Sequence, residues 1–180
     1  MRINPDEVFA LAIDIQERLF PHMHDKDILL ENTLKLVKGL KLLGIDFVLN
    51  EQYPKGIGHT LEPIRDILRD EKAHEKVTFS CCKTEDTMDV IKAQDKKYVI
   101  IFGIEAHVCV LQSVLDLIES GYIPVLVTDC ISSRKENDKN IAILRMTQAG
   151  AIPTTYESLL FELCVSAKHK TFKEISSLIK

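Results

Sequence analysis

The most chemically informative stretch of the sequence places a cysteine directly after a buried strand. Residues Tyr98–Phe102 are all apolar or aromatic, which is typical of a strand buried on both faces of a parallel sheet. Gly103 ends this run, and apolar residues between Val110 and Ile118 then recur at helical spacing. Cys109 therefore lies in the first turn of a predicted helix, where unpaired N–H groups and the helix dipole stabilise negative charge.

A cysteine in that position can act as a nucleophile. The field of the helix lowers the thiol pKa below its ordinary value of about 8.5, so we expect a low pKa for Cys109. The same free N–H groups can bind the oxyanion of an acyl intermediate. The alternative is a buried structural cysteine, because free cysteines are among the most buried residues in proteins.

The order of the strands predicts two charged residues near Cys109. Asp14 ends an apolar run that begins at Phe9, and Lys76 begins a short predicted strand that ends at Ser80. In a doubly wound sheet, ligands bind outside the carboxyl ends of the strands, and the first and fourth strands are neighbours. An ionised Asp14 held by Lys76 could take the thiol proton and return it to a leaving group. Alternatively, Asp14 caps a turn and Lys76 is a solvated surface residue.

Strand and helix patterns alternate along the chain and position these groups. Apolar runs predict six strands, at residues 9–14, 45–50, 76–80, 98–102, 122–129 and 151–155. Amphipathic patterns and stop signals predict helices at residues 28–43, 61–68, 84–93, 108–120, 137–148, 157–164 and 172–179. This alternation favours a three-layer α/β/α fold with a six-stranded parallel sheet in the Rossmann-like order 3-2-1-4-5-6. We expect one domain over residues 1–180.

Composition limits the partners and the compartment. The net charge is −4 without a basic block, so nucleic acid is not an expected partner. No apolar run approaches the roughly 20 residues of a membrane span, and neither a dinucleotide fingerprint nor a P-loop is present. The five cysteines lack disulfide or zinc spacing, so we expect the reducing cytoplasm and no bound metal or cofactor. The apolar stretch Leu159–Leu163 exceeds the needs of one helix face and predicts a homo-oligomer.

Several segments resemble the isochorismatase-like cysteine hydrolases, a family that includes nicotinamidases and N-carbamoylsarcosine amidohydrolases. The resemblance covers nearly the whole chain and is carried by residues 12–16, 51–56, 75–80, 103–110 and 128–134. The segments 51–56 and 103–106 most resemble the eukaryotic isochorismatase domain-containing proteins.

The resemblance implies roles for individual residues. It assigns Asp14, Lys76 and Cys109 to an Asp-Lys-Cys catalytic triad. It also implies a cis peptide bond at Ile104–Glu105 and an oxyanion hole made by the backbone amides of Glu105 and Cys109. Family members of this kind form homo-oligomers, so the resemblance favours an oligomer here as well.

The chain departs from the nicotinamidases where those enzymes bind a metal. Nicotinamidases carry an acid-x-His motif after the second strand, and this chain has Glu51, Gln52 and Tyr53 there. We therefore expect no metal and a substrate other than nicotinamide. His59 follows nearby, but a single histidine is more often a loop residue than a ligand. Family members that cleave the vinyl ether of isochorismate lack the cysteine, so Cys109 favours acyl transfer to a thiol.

These observations predict a cysteine hydrolase that cleaves the C–N bond of a small amide or carbamoyl compound through a thioester on Cys109. Gln16, Phe20, Tyr53 and Phe79 are candidates for the substrate pocket, although the aromatic residues could equally belong to the core. The alternative is a non-catalytic member of the same family that serves as an oligomeric binding or scaffold protein.

Overall fold

The chain forms one parallel sheet covered by helices on both faces. The structure is a computed structural model, and it describes residues 2–180. The strands are β1 Val8–Ile13, β2 Phe47–Gln52, β3 Ala73–Lys76, β4 Tyr98–Ile104, β5 Ile123–Ser132 and β6 Ile152–Thr154. Their order in the sheet is β3-β2-β1-β4-β5-β6, and every neighbouring pair is parallel. The predicted fold class is therefore confirmed.

The helices divide between two layers because successive strand residues point to opposite faces. The helices of the described chain are α1 Lys26–Leu42, α2 Pro54–Ile57, α3 Glu62–Ile67, α4 Glu85–Ala93, α5 Leu111–Glu119, α6 Glu136–Ala149, α7 Tyr156–Cys164 and α8 Phe172–Ile179. Ala10 and Ala12 of β1 belong to the core beneath α1 and α7. Phe9 and Leu11 belong to the opposite core, beneath α5 and α6. The site at the end of β1 is thus supported from both sides.

The third strand lies earlier in the chain than predicted, which corrects the position of Lys76. The prediction placed Lys76 at the start of this strand, whereas β3 ends there and pairs Lys76 with Gln52 of β2. The apolar residues Val77 and Phe79 that suggested a longer strand are exposed, at 77% and 54%. Lys76 therefore lies at the carboxyl edge of the sheet, where a parallel α/β fold binds its ligands.

A π-helical turn, rather than the first turn of an α-helix, carries Cys109. The segment Ala106–Val110 forms this turn, and α5 begins only at Leu111. The backbone N–H of Val110 reaches the carbonyl oxygen of Glu105, five residues back, at 3.2 Å. Such turns are rare and occur frequently at functional sites.

Gly103 allows β4 to approach β1 closely beside the site. Its φ is +131°, a backbone conformation that residues with a side chain rarely adopt. A Cβ atom at this position would lie 2.0 Å from the carbonyl oxygen of Ile13, the residue before Asp14. The missing side chain therefore lets the backbone segments that lead to Asp14 and to Cys109 run in direct contact.

The apolar C-terminal stretch packs inside the chain's own core. Leu159, Leu160 and Leu163 are buried there, and Leu160 packs against Gly39 of α1. These leucines therefore do not supply the oligomer surface for which the sequence suggested them. Among residues 2–180, no helix is both long and apolar enough to cross a bilayer.

The close approach at Gly103 predicts a large cost for a single methyl group. We expect Gly103→Ala to lower the free energy of unfolding by about 2 kcal/mol or more, because it adds a backbone clash to an unfavourable φ. Gly121→Ala is the matched control, since Gly121 also has a positive φ but no atom within 4 Å of its added Cβ. Its loss should be about 1 kcal/mol. Urea denaturation measures both, and equal losses would contradict the close approach.

Candidate active site

Asp14 and Lys76 form a buried ion pair at the carboxyl edge of the sheet. The Nζ atom of Lys76 is 2.7 Å from Oδ2 of Asp14, and both side chains are fully buried. Asp14 directly follows β1 and Lys76 ends β3, with β2 between the two strands. The structure thus brings together two of the three residues that were predicted to form the triad.

The backbone of Asp14 adopts an uncommon conformation that turns the chain out of the sheet. Its φ is +53°, in the left-handed region that Asp and Asn tolerate better than most residues. The backbone N–H of Asp14 donates to the carbonyl oxygen of Asn50, and its own carbonyl oxygen accepts from Gln16, at 3.2 and 2.8 Å. Such conformations cluster at functional sites because the surrounding structure must hold them.

Cys109 completes the cluster as a neutral thiol. Its side chain interacts with both Asp14 and Lys76, and the residue is only 6% exposed. Burial raises the pKa of Cys109 to about 12; the charge of Asp14 adds to this effect and that of Lys76 opposes it. The predicted low pKa is therefore wrong, because loss of water outweighs the field of the turn. The thiol needs a base before it can attack.

The ion pair contains a carboxylate, a type of group that can serve as such a base. Burial raises the pKa of Asp14 above its ordinary value, although the adjacent Lys76 ammonium opposes this shift. Burial disfavours the charged form of Lys76, but the charge and hydrogen bond of Asp14, together with Cys81 and Cys109, outweigh burial and raise the pKa of the lysine. Within residues 2–180, Oδ1 of Asp14 has no hydrogen bond of regular geometry. This oxygen is therefore available to accept a proton.

The other cysteines differ from Cys109 in exposure or surroundings. Cys130 and Cys164 are buried, and burial raises the pKa of each. Burial raises the pKa of Cys82 to about 11. Cys81 also feels the charges of Asp14 and Lys76, but it is fully buried and burial raises its pKa strongly. Cys109 combines these two neighbours with a small exposed surface.

Gln52 is a contact of Lys76 that was not among the predicted site residues. Its Oε1 atom accepts a hydrogen bond from the Lys76 ammonium at 2.7 Å, as short as the contact with Asp14. The carbonyl oxygens of Phe79 and Thr78 also accept from it, at 3.0 and 3.3 Å. Since Gln52 and Lys76 are partners in the register of β2 and β3, only the strand pairing reveals this contact.

Gln16 binds the backbone at the end of β2, beside the site. It is fully buried, and its side-chain amide binds both the N–H and the carbonyl oxygen of Gln52, at 2.7 and 2.9 Å. The same amide donates to the carbonyl oxygen of Gly58 at 2.6 Å. The contacts that the structure gives Gln16 therefore hold the end of β2 and the loop after it.

The three aromatic pocket candidates lie in different environments. Phe20 is buried in the core on the α1 side, which is the alternative that the sequence left open. Tyr53 and Phe79 are about half exposed, at 52% and 54%, and lie close to Lys76 along the chain or in the sheet. The backbone N–H of Tyr53 donates to the carbonyl oxygen of Lys76 at 2.8 Å. Tyr53 and Phe79 therefore remain candidates for the pocket wall.

Glu51 lies at the start of the segment where nicotinamidases carry their metal motif. Both of its carboxylate oxygens are hydrogen-bonded within the chain. One carboxylate oxygen accepts from the backbone N–H and the hydroxyl of Thr60, both at 2.8 Å, and the other contacts Nδ1 of His59 at 3.0 Å. Burial disfavours the charged form, but these bonds outweigh it and lower the pKa of Glu51. The hydrogen bonds of Thr60 to Glu51 therefore connect the loop before α3 to β2.

The turn before Cys109 is anchored to the end of β5. The peptide bond between Ile104 and Glu105 is cis, at the position that the family resemblance implied. The carboxylate of Glu105 accepts hydrogen bonds from two nitrogens of Arg134, from Nη2 at 2.9 Å and from Nε at 3.1 and 3.3 Å. Nδ1 of His107 lies 2.9 Å from the hydroxyl oxygen of Ser133. Residues that follow or end β4 and β5 therefore hold the turn on two sides.

Comparison with known proteins identifies the family to which this geometry belongs. The family profile described as Isochorismatase domain matches residues 9–158. The chain belongs to the isochorismatase family. Isochorismatase family protein 1A of Dictyostelium discoideum is 38% identical to it over 181 residues, with 98% of this chain and 87% of the relative covered. The resemblance that the motifs indicated is confirmed.

Two solved structures share the fold over nearly the whole chain. The MAR1 ribonuclease of Caenorhabditis elegans is 37% identical and superposes with a TM-score of 0.93, covering 99% of this chain and 92% of that one. The YcaC gene product of Escherichia coli, described as an octameric hydrolase of unknown specificity, is 25% identical. Its TM-score is 0.95, with 99% of this chain and 89% of that chain covered.

The electrostatics of the cluster predict opposite effects for its two charged residues. Iodoacetamide reacts with the thiolate already present at equilibrium with solvent, so the alkylation rate reports the thiol pKa and not the role of Asp14 as a base. Asp14→Asn removes the charge that raises the pKa of Cys109, so alkylation between pH 7 and 9.5 should accelerate about tenfold. Lys76→Met removes the opposing charge and should slow the reaction by a similar factor. Peptide mapping assigns the label to Cys109, and thermal melting checks that each variant is folded. Slower labelling in folded Asp14→Asn would contradict this account.

Proposed function

We propose that this isochorismatase family member is a cysteine hydrolase that cleaves the C–N bond of a small amide or carbamoyl compound. The observation that carries the proposal is the buried cluster of Asp14, Lys76 and Cys109. It combines a thiol nucleophile, a carboxylate with a free oxygen and a fixed cation. Nucleophile, base and orienting group within reach of one another are the components of covalent acyl transfer.

The first step forms a bond between sulfur and carbon. Asp14 takes the thiol proton as the sulfur of Cys109 attacks the carbonyl carbon of the substrate. The raised pKa of Asp14 favours this transfer, because it brings the proton affinity of the acid closer to that of the thiol. The backbone N–H groups of Glu105 and Cys109 then bind the oxyanion of the tetrahedral intermediate.

The later steps return the proton and release both products. Protonated Asp14 gives its proton to the leaving nitrogen, the C–N bond breaks, and a thioester on Cys109 remains. Asp14 then takes a proton from water as the water oxygen attacks the thioester. The sulfur leaves and regains that proton, and a carboxylic or carbamic acid is released. Lys76 stays protonated throughout and keeps Asp14 in place.

The proposed substrate is a small amide or carbamoyl compound. We propose no interaction with nucleic acid or a membrane and no metal or cofactor. Tyr53 and Phe79 are half-exposed aromatic residues whose backbones contact Lys76, and we propose that their rings contact such a substrate. All five cysteines are free thiols, which supports the cytoplasm as the proposed compartment. Because a solved relative is named a ribonuclease, RNA is included as a competing substrate in the test.

A panel of amides and carbamoyl compounds with ammonia detection tests the hydrolase function. We expect turnover of at least one compound and a loss of about 10³-fold or more in Cys109→Ala, because a nucleophile that acts within a catalytic unit is indispensable. Cys82→Ser is the matched control and should retain turnover. Mass spectrometry should find an acyl adduct on Cys109, and excess chelator should leave the rate unchanged.

Three results of this experiment would contradict the proposal. Turnover that survives Cys109→Ala would exclude the thioester mechanism. Cleavage of RNA in a Cys109-dependent reaction, with no amide consumed, would assign the site to a different substrate class. Absence of turnover across the panel together with an inert Cys109 would favour a non-catalytic binding or scaffold protein.

We also propose that the chain assembles into a homo-oligomer. An octameric relative with the same fold supports this, as do exposed apolar side chains such as Ile141 and Leu144 on α6. Light scattering at micromolar concentration should therefore give a mass that is a multiple of 20.4 kDa. A mass equal to that of one chain would contradict the proposal.

A further inference from the structure

We propose that Gln52 is a positioning residue that holds the Lys76 ammonium against Asp14 and Cys109. The inference rests on the cysteine-hydrolase function proposed above and adds a residue outside the Asp-Lys-Cys triad. Gln52 acts through Lys76 and is not assigned a contact with the substrate.

The hydrogen bonds of Lys76 give the first argument. An ammonium group has three protons, and the two shortest contacts of Lys76 are with Oδ2 of Asp14 and Oε1 of Gln52, both at 2.7 Å. The carbonyl oxygens of Phe79 and Thr78 are more distant, at 3.0 and 3.3 Å. Gln52 therefore provides an uncharged acceptor that is as close to this ammonium as the carboxylate of Asp14.

The second argument is that Gln52 is itself held in one orientation. Its Nε2 atom donates to the carbonyl oxygen of Val77 at 3.0 Å, so its Oε1 atom must face Lys76. A flipped amide would bring N–H groups against the ammonium and lose both contacts. Gln16 holds the backbone of Gln52 through both its N–H and its carbonyl oxygen. Two interlocked amides thus place a single acceptor at the lysine.

The neutrality of Gln52 gives the third argument. An amide oxygen orients the ammonium without compensating its charge, so the positive field of Lys76 remains available to Asp14 and to the thiol of Cys109. A carboxylate at the same 2.7 Å would neutralise much of that field and disfavour a thiolate nearby. Glutamine, rather than glutamate, therefore suits a lysine whose charge must act on two neighbours.

The pH dependence of Cys109 alkylation tests this inference with two variants. Gln52→Glu keeps the size of the side chain and adds the charge, so the iodoacetamide rate at every pH from 7 to 9.5 should fall about tenfold. Gln52→Met removes the acceptor without adding charge, so the alkylation rate of Cys109 at each pH should change less than in Gln52→Glu. In Gln52→Met, the kcat for amide hydrolysis should fall about tenfold or more with little change in KM, because the ammonium of Lys76 loses its orientation. Gln148→Glu, on the exposed end of α6, is the control for added charge and should leave both properties unchanged.

The outcomes separate this inference from the proposed function. If wild-type Cys109 resists alkylation and Cys109→Ala retains hydrolysis, the proposed function fails. If Cys109 behaves as proposed but folded Gln52→Glu matches the wild-type alkylation profile, and Gln52→Met keeps its kcat, Gln52 has no positioning role. A large loss in Gln52→Glu with none in Gln148→Glu supports the inference, and Gln52→Met decides the matter if Gln52→Glu does not fold.

Discussion

The buried ion pair between Asp14 and Lys76 is the interaction on which the rest of the site depends. Removing two charges from water is costly, and only a short contact with further hydrogen bonds compensates for it. Here the contact is 2.7 Å, and three further oxygens surround the ammonium. Loss of one partner from such a pair costs about 3–5 kcal/mol, because the other charge is left buried alone. The strands that end at the pair are therefore held in register by its electrostatics as well as by their ladders.

The site divides into a rigid frame and an exposed rim. The frame consists of the strand ends, the close contact at Gly103, and the clamps that Gln16 and Glu51 place on the segment after β2. The rim consists of Tyr53, Val77 and Phe79, whose side chains are at least half exposed. Because the frame holds the charged cluster, substitutions in the rim can change which molecules bind without displacing Asp14, Lys76 or Cys109.

The fold and two members of the cluster could be predicted because they depend on local patterns. Apolar runs and helical spacing predicted the six strands, and Asp14 and Cys109 followed strands that are neighbours in a doubly wound sheet. The role of Lys76 came from the family resemblance, because its predicted place at the start of a strand was wrong. The end of β3 could not be predicted, because Val77 and Phe79 continue an apolar pattern although both are exposed.

Two further features depend on information that a single sequence does not carry. The contact between Gln52 and Lys76 arises from the pairing of β2 with β3, which joins residues 24 positions apart. The thiol pKa of Cys109 depends on how much water surrounds it, and burial reverses the direction that the helix field alone predicts. Strand register and solvent exposure are properties of the packed chain, so both can be determined only from the three-dimensional structure.

The protonated state of Cys109 has a consequence for the durability of the protein. Peroxides oxidise thiolates rather than thiols, and sensitivity to them rises with thiolate character and exposure. With a thiol pKa of about 12 and little exposed surface, Cys109 offers oxidants almost no reactive anion while the site is empty. Under the proposed mechanism the thiolate forms only when Asp14 takes the proton, so Cys109 is protected from sulfenic and sulfinic acid formation while no substrate is bound.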